Sequence, residues 1–193
     1  ALTILPSISS LKPLRTLAKA SAAPGPFIGF GNPLISGEDG SDRRAWAKQN
    51  CQLDSTRAVQ VASTKLPSAV TSLVRSGLAD VAEVRRQVPL PETADELCAV
   101  ARFSGADESS VFLGERASER QLKALSESGA LAGARVVHFA THGLLSGETA
   151  QILATRAEPS LMLSPPETAS SEDDGLLTAS EIATLRLDAD WVI

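Results

Sequence analysis

Apolar positions along the chain follow two rhythms, one of strands and one of helices. Leu2 to Pro6 is a short apolar run closed by a proline, which predicts a strand. Ser9 or Ser10 can cap a helix carrying Leu11, Leu14, Leu17 and Ala18 at the helical spacing. Ala22 to Pro26 breaks it, and Phe27 to Gly31 reads as a second strand, closed by Asn32-Pro33. From about Ile35 to Val88 the pattern weakens into loops and short elements, with a short helix expected over Ser68 to Val74 that ends at Gly77.

Regular patterning returns at Leu90. Thr93-Ala94-Asp95-Glu96 has the form of a capping box, followed by an apolar stripe of Leu97, Val100, Ala101 and Phe103 that Gly105 ends. Val111 to Gly114 predicts a strand. Ser118 to Gln121 is a second capping box ahead of Leu122, Leu125 and Leu131. Arg135 to Ala140 is a buried-strand run, and Ser160 to Leu163 another strand. Thr178 to Glu181 is a third capping box, and Trp191 to Ile193 begins a last strand. Helices alternating with near-continuous apolar strands predict a mostly parallel sheet covered on both faces.

Composition narrows the function classes. With 193 residues, 43% hydrophobic and 21% charged, the chain has ordinary globular usage and can bury a sizeable core. Its formal net charge of −5 argues against a nucleic-acid binder, which needs a basic face. No apolar run approaches the length of about 18 residues that a membrane helix needs. Cys51 and Cys98 fit neither a disulfide framework nor a zinc spacing, so a reducing cytoplasm is the expected location. Nothing calls for a metal or cofactor. Neither end reads as a natural terminus: Ala1 to Pro6 has no signal-peptide character, and Asp190 to Ile193 stops inside an apolar run. The chain is therefore expected to be a piece of a longer protein, spanning 1–193 as a single domain incomplete at its C-terminus.

The candidate chemistry sits in Val136-Val137-His138-Phe139-Ala140-Thr141-His142-Gly143, which holds both histidines of the chain. In an open α/β sheet ligands lie beyond the carboxyl ends of the strands, and His142 falls there. Histidine can act as a base at neutral pH. The N–H of Gly143 beside it could stabilise an oxyanion. The plain alternative is a polar turn at a strand end. His138, inside the apolar run, reads as a buried imidazole satisfied by its neighbours. Gly29-x-Gly31 followed by Pro33 fits neither phosphate-loop pattern, which argues against a nucleotide site.

Val137 to Gly143 resembles the histidine motif of the CHAT family, caspase-like domains often found with tetratricopeptide repeats. The resemblance extends over most of the chain and is weakest from about Ile35 to Val88. It includes Leu5-Pro6-Ser7, Gly29-Phe30-Gly31-Asn32-Pro33, Leu90-Pro91 and Val111 to Glu115. It also includes a second signature, Asp174 to Ile182. The resemblance implies a caspase-like three-layer α/β/α fold, truncated here at the C-terminus, and a cysteine endopeptidase with protein or peptide substrates. It implies tetratricopeptide repeats as companions in the parent chain. It makes His142 the base and Gly143 an oxyanion donor, and places the nucleophilic cysteine a few residues past a strand like Asp190 to Ile193. Cys98 on an apolar helix face and Cys51 in a weakly patterned region are poor substitutes for that nucleophile, so the chain as it stands is expected not to hydrolyse peptides. A catalytically silent scaffold with the same fold is the competing reading. The acidic run Glu172-Asp173-Asp174 either favours a basic substrate or is a solvated loop.

Overall fold

A computed structural model describes residues 20–51, 74–75, 78–145 and 158–193. The strand expected at Leu2 to Pro6, the helix of Leu11 to Ala18 and nearly all of the helix at Ser68 to Val74 lie outside the described residues.

The centre is a four-stranded parallel sheet. Its strands are β1 (Ile28–Gly31), β4 (Val111–Leu113), β5 (Val136–Ala140) and β9 (Trp191–Val192), in the order β4-β1-β5-β9. Side chains alternate across a strand, and the packing follows that period of two. Phe27, Val111, Leu113, Val136 and Ala140 face α2 (Glu92–Ser104), where they meet Ala94, Leu97, Cys98 and Ala101. Ile28, Phe30, Phe112, Val137 and Phe139 face the other way, toward Leu122 and Leu125 of α3 (Glu119–Glu127) and Leu131 beyond it. Helix, sheet and helix thus form three layers, as the sequence predicts. On the α3 side Phe30 stacks on Phe112 and on Phe139, with ring centroids 4.9 and 5.7 Å apart. Each such pair adds about 0.5–1.5 kcal/mol beyond the area it buries.

On the α2 side the sheet and helix approach closely because β1 offers glycine there. A Cβ on Gly31 would lie 2.6 Å from a Leu97 methyl and 2.9 Å from the Ala140 carbonyl oxygen. Gly29 and Gly31 therefore serve helix–sheet packing.

A second, antiparallel sheet joins β6 (Gly143–Leu144), β7 (Ser160–Met162) and β8 (Leu176–Thr178) in sequence order. It covers a separate apolar cluster of Ile35, Ala79, Val84, Leu144, Met162 and Leu176. β2 (Val74–Arg75) and β3 (Leu78–Ala79) pair as a hairpin, followed by α1 (Val81–Arg85). The short helix α4 (Ala179–Ile182) opens on the full capping box of Thr178 and Glu181.

Four readings are corrected. α2 starts at Glu92 with Pro91 as its N-cap, so Thr93 is not a cap: its hydroxyl accepts from the Asn32 N–H and donates to the Leu90 carbonyl. Phe103 is 96% exposed and off the apolar face. The strand at Ser160 belongs to the antiparallel sheet, not the parallel one. Cys51 and Cys98 are joined in a disulfide across 47 residues. Two distant cysteines gave no spacing signal, but Cys98 on α2 faces the segment carrying Cys51. The bond withdraws the argument from cysteine usage for a reducing compartment. Among the described residues no helix is long and apolar enough to cross a membrane.

Candidate active site at the end of β5

His142 follows β5 at the carboxyl edge of the parallel sheet, where the chain passes from one sheet into the other. Its backbone is pinned by β7: the Met162 N–H donates to the His142 carbonyl at 2.9 Å, and the Thr141 hydroxyl donates to the Met162 carbonyl at 2.5 Å. The half-buried imidazole places Nε2 2.7 Å from the carbonyl oxygen of Val88. A carbonyl oxygen only accepts, so this contact puts a ring proton on Nε2, and in the neutral imidazole the lone pair is then on Nδ1. Val88 is in turn positioned by the chain leaving α1, where Ser36 N–H donates to the Arg85 carbonyl at 2.7 Å and Gly37 N–H to that of Gln87 at 3.2 Å. The helix begins at Asp80, whose carboxylate accepts from the Ala82 and Glu83 N–H groups. Sequence reasoning missed Val88 because its contribution is a backbone carbonyl, which carries no residue-type signal.

Gly143 opens β6 opposite Leu161. Since His142 and Met162 form a hydrogen-bonded pair, the alternation of an antiparallel ladder makes Gly143 and Leu161 a non-hydrogen-bonded pair. The Gly143 N–H therefore turns away from β7, toward the side where a ligand could receive it. A Cβ at Gly143 would meet no atom within 4 Å, so packing alone does not demand glycine there.

β9 lies parallel to β5 on its far side from β1, with Val136 level with Trp191 and Val137 with Val192. The pairing runs to the end of the chain, where the Phe139 N–H donates to the Ile193 carbonyl at 2.8 Å.

His138 stands four residues earlier and points to the α2 layer. Its side chain is 12% exposed, meets the Phe27 ring edge-on at 6.3 Å and lies 3.6 Å from the Glu96 carboxylate. Burial holds its pKa below the usual histidine value, against the pull of Glu96. It is a packed histidine, as the sequence suggests.

The second signature turns out to be anchored by a buried charge cluster. Glu119, 1% exposed in the first turn of α3, accepts from the N–H groups of Asp174 and Gly175 through one oxygen at 2.7 Å each. Lys123 Nζ bridges Glu119 at 3.3 Å and Glu181 at 2.7 Å. Burial raises the pKa of Glu119, opposed by those N–H groups and Lys123. Burial also opposes the charge of Lys123, but its bond to Glu181 and the nearby carboxylates outweigh that and raise its pKa. Asp174 accepts from Ala79 N–H at 2.7 Å and Leu176 N–H at 3.0 Å. Gly175 has φ 90°, and a Cβ there would strike Pro165 at 2.9 Å. Within the acidic run, the Asp174 carboxylate is thus spent on holding its own loop, and Asp174 is a structural residue. Glu119 and Lys123 escaped the sequence reading because a charged pair at helical spacing ordinarily marks a solvated face.

The model of the CHAT domain matches residues 1–193. The chain belongs to the CHAT domain family. It therefore has a caspase-like three-layer fold and membership of a peptidase-related family. No curated protein and no solved structure matches the chain. Both cysteines of this CHAT domain are in the disulfide, so the described site holds a histidine and no thiol.

Proposed function

We propose that this CHAT domain is the histidine-bearing part of a cysteine endopeptidase acting on protein or peptide substrates. The observation that carries the reading is the parallel pairing of β5 with β9. The family places its cysteine a few residues past the strand that β9 resembles, and β9 is the neighbour of the strand that His142 follows. In the proposed reaction His142 Nδ1 takes the thiol proton, and the thiolate attacks the peptide carbonyl. The imidazolium then returns the proton to the leaving amine. The Gly143 N–H donates to the oxyanion of the tetrahedral intermediate. The Val88 carbonyl keeps the imidazole in the tautomer this requires and stabilises the imidazolium. Tetratricopeptide repeats elsewhere in the parent chain are the proposed means of presenting substrate.

The test uses the protein in its natural full length and a library of fluorogenic peptides. Turnover that His142→Ala reduces by about 10²–10⁴-fold supports the reading. Turnover indifferent to His142→Ala sinks it. Residues 1–193 alone are expected to be inactive. The disulfide that occupies both cysteines favours a second reading, a non-catalytic protein-interaction module, if no cysteine follows the β9 strand in the full-length protein and that protein turns over no peptide.

A further inference from the structure

A cavity of about 1030 Å³ opens beyond the carboxyl ends of β1 and β4, roofed by the loop between β7 and β8. Trp46, Glu115, Ser118, Arg120, Pro165 and Asp173 are among its walls. The walls are fixed by the fold. Ser118 caps α3 through its hydroxyl, and Arg85 Nη2 ties down the carbonyls of Pro165 and Pro166 at 2.9 and 3.0 Å. The Ser164 hydroxyl links Leu34 N–H to the Gly114 carbonyl.

Two polar atoms on these walls are buried and unmatched. Asp173 is 5% exposed, and its Oδ1 has no hydrogen-bond partner among the described residues. Trp46 Nε1 is buried and likewise has none. A buried donor or acceptor left unmade costs about 1–3 kcal/mol, more for a charged group, so native structures rarely keep one without a use. The two residues that carry this acceptor and this donor, Asp173 and Trp46, both line the one cavity. Arg120 lies 3.7 Å from the other oxygen of Asp173, and 79% of its side chain is exposed to screening water. That contact leaves Oδ1 unmatched.

We propose that this cavity is a binding site for a cationic amino-acid or peptide side chain, its ammonium or guanidinium donating to Asp173 Oδ1 and a neighbouring carbonyl accepting from Trp46 Nε1. The cavity is larger than one side chain requires, which leaves room for flanking residues of a peptide. The site does not rest on the peptidase reading, because its readout is binding without turnover. Burial raises the pKa of Asp173 above the ordinary carboxylate value although Arg120 and Lys123 pull it down.

The experiment is calorimetric titration of the full-length protein with acetyl-arginine amide and with the tripeptide Ala-Arg-Ala, each against its citrulline counterpart. Citrulline keeps the shape and loses the charge. Arginine ligands should bind about tenfold or more tightly than citrulline ones, and Asp173→Asn should erase that preference. Trp46→Phe should weaken all of these ligands several-fold. A tripeptide tighter than the single residue assigns the site to peptides; equal affinities assign it to a lone basic residue. No binding of either arginine ligand, equal binding of citrulline, or an unaltered preference in Asp173→Asn overturns the proposal. Should Asp173→Asn fail to fold by circular dichroism, the citrulline comparison on wild type and the Trp46→Phe titration decide it.

Discussion

The two faces of the parallel sheet are held by opposite means. Toward α2 the contact is apolar and close: glycines in β1 admit the Leu97 side chain, and a disulfide ties the helix to the segment before it. Toward α3 the apolar layer of three stacked phenylalanines ends at a buried charge, Glu119, which reaches out of the helix to hold the loop of the second signature. One face is made by removing bulk and water. The other places a carboxylate where two backbone N–H groups need an acceptor. The difference shows where stability is distributed and where it is concentrated. Apolar contacts share the load over many residues, whereas the charge cluster concentrates it on one.

The largest expected effect tests that concentration. Glu119→Ala leaves two backbone N–H groups without their acceptor and Lys123 with one carboxylate fewer, and breaking a buried pair from one side costs about 3–5 kcal/mol. Urea denaturation followed by circular dichroism should show a loss in that range. Glu119→Gln, which keeps an oxygen for the two N–H groups, should lose clearly less. Equal losses in the two variants would mean that the N–H acceptor matters little and the charge matters most.

On the α2 face the matching perturbation is reduction of Cys51–Cys98. A cross-link spanning 47 residues contributes about 2–4 kcal/mol, chiefly by restricting the unfolded chain. Denaturation midpoints with and without reductant should differ accordingly, and a Cys51→Ala, Cys98→Ala double variant should match the reduced protein and no longer respond to reductant. A double variant as stable as the oxidised wild type would show that the apolar packing of α2 suffices.

The same contrast explains what could be read from the sequence. The parallel strands at Phe27, Val111 and Val136, the two long helices and the third capping box were legible because each is written in local periodicity or in an oxygen three residues from its N–H. The place of His142 at the end of a buried strand was legible because an apolar run precedes it and a glycine follows. Long-range pairings left no such trace. The disulfide joins residues 47 apart, the Val88 carbonyl reaches His142 over 54, and Glu119 meets Gly175 over 56. Thr93 shows the local rule yielding to a distant one: the box it could have formed was given up for a hydrogen bond to Asn32, 61 residues away. Asn32 repays the contact by accepting a left-handed backbone, φ 45°, and spanning the carbonyls of Ala45 and Lys48 with its side-chain amide.

The smallest expected effect asks whether the α2 face is as indifferent to charge as its packing suggests. His138 is the titratable group wedged between β5 and α2, and burial lowers its folded pKa below the ordinary value of 6.5. Below that ordinary value the unfolded chain takes up the proton first. The stability is therefore fully present above about pH 6.5 and declines as pH falls toward the folded pKa. Glu96, 3.6 Å away, attracts the imidazolium and makes the decline shallow. Denaturation midpoints measured from pH 7.5 to 5.5 should drift downward in wild type and flatten in His138→Gln, while Glu96→Gln should steepen the drift. The carboxylates held low by partners, Glu181 beside Lys123 and Asp190 beside the Ser21 N–H and Arg135, lose their contribution only in the more acidic range, so they do not mask this window. A wild-type profile flat over the window would mean that the site relaxes enough to hydrate the imidazolium, and that the α2 face tolerates charge as the α3 face does.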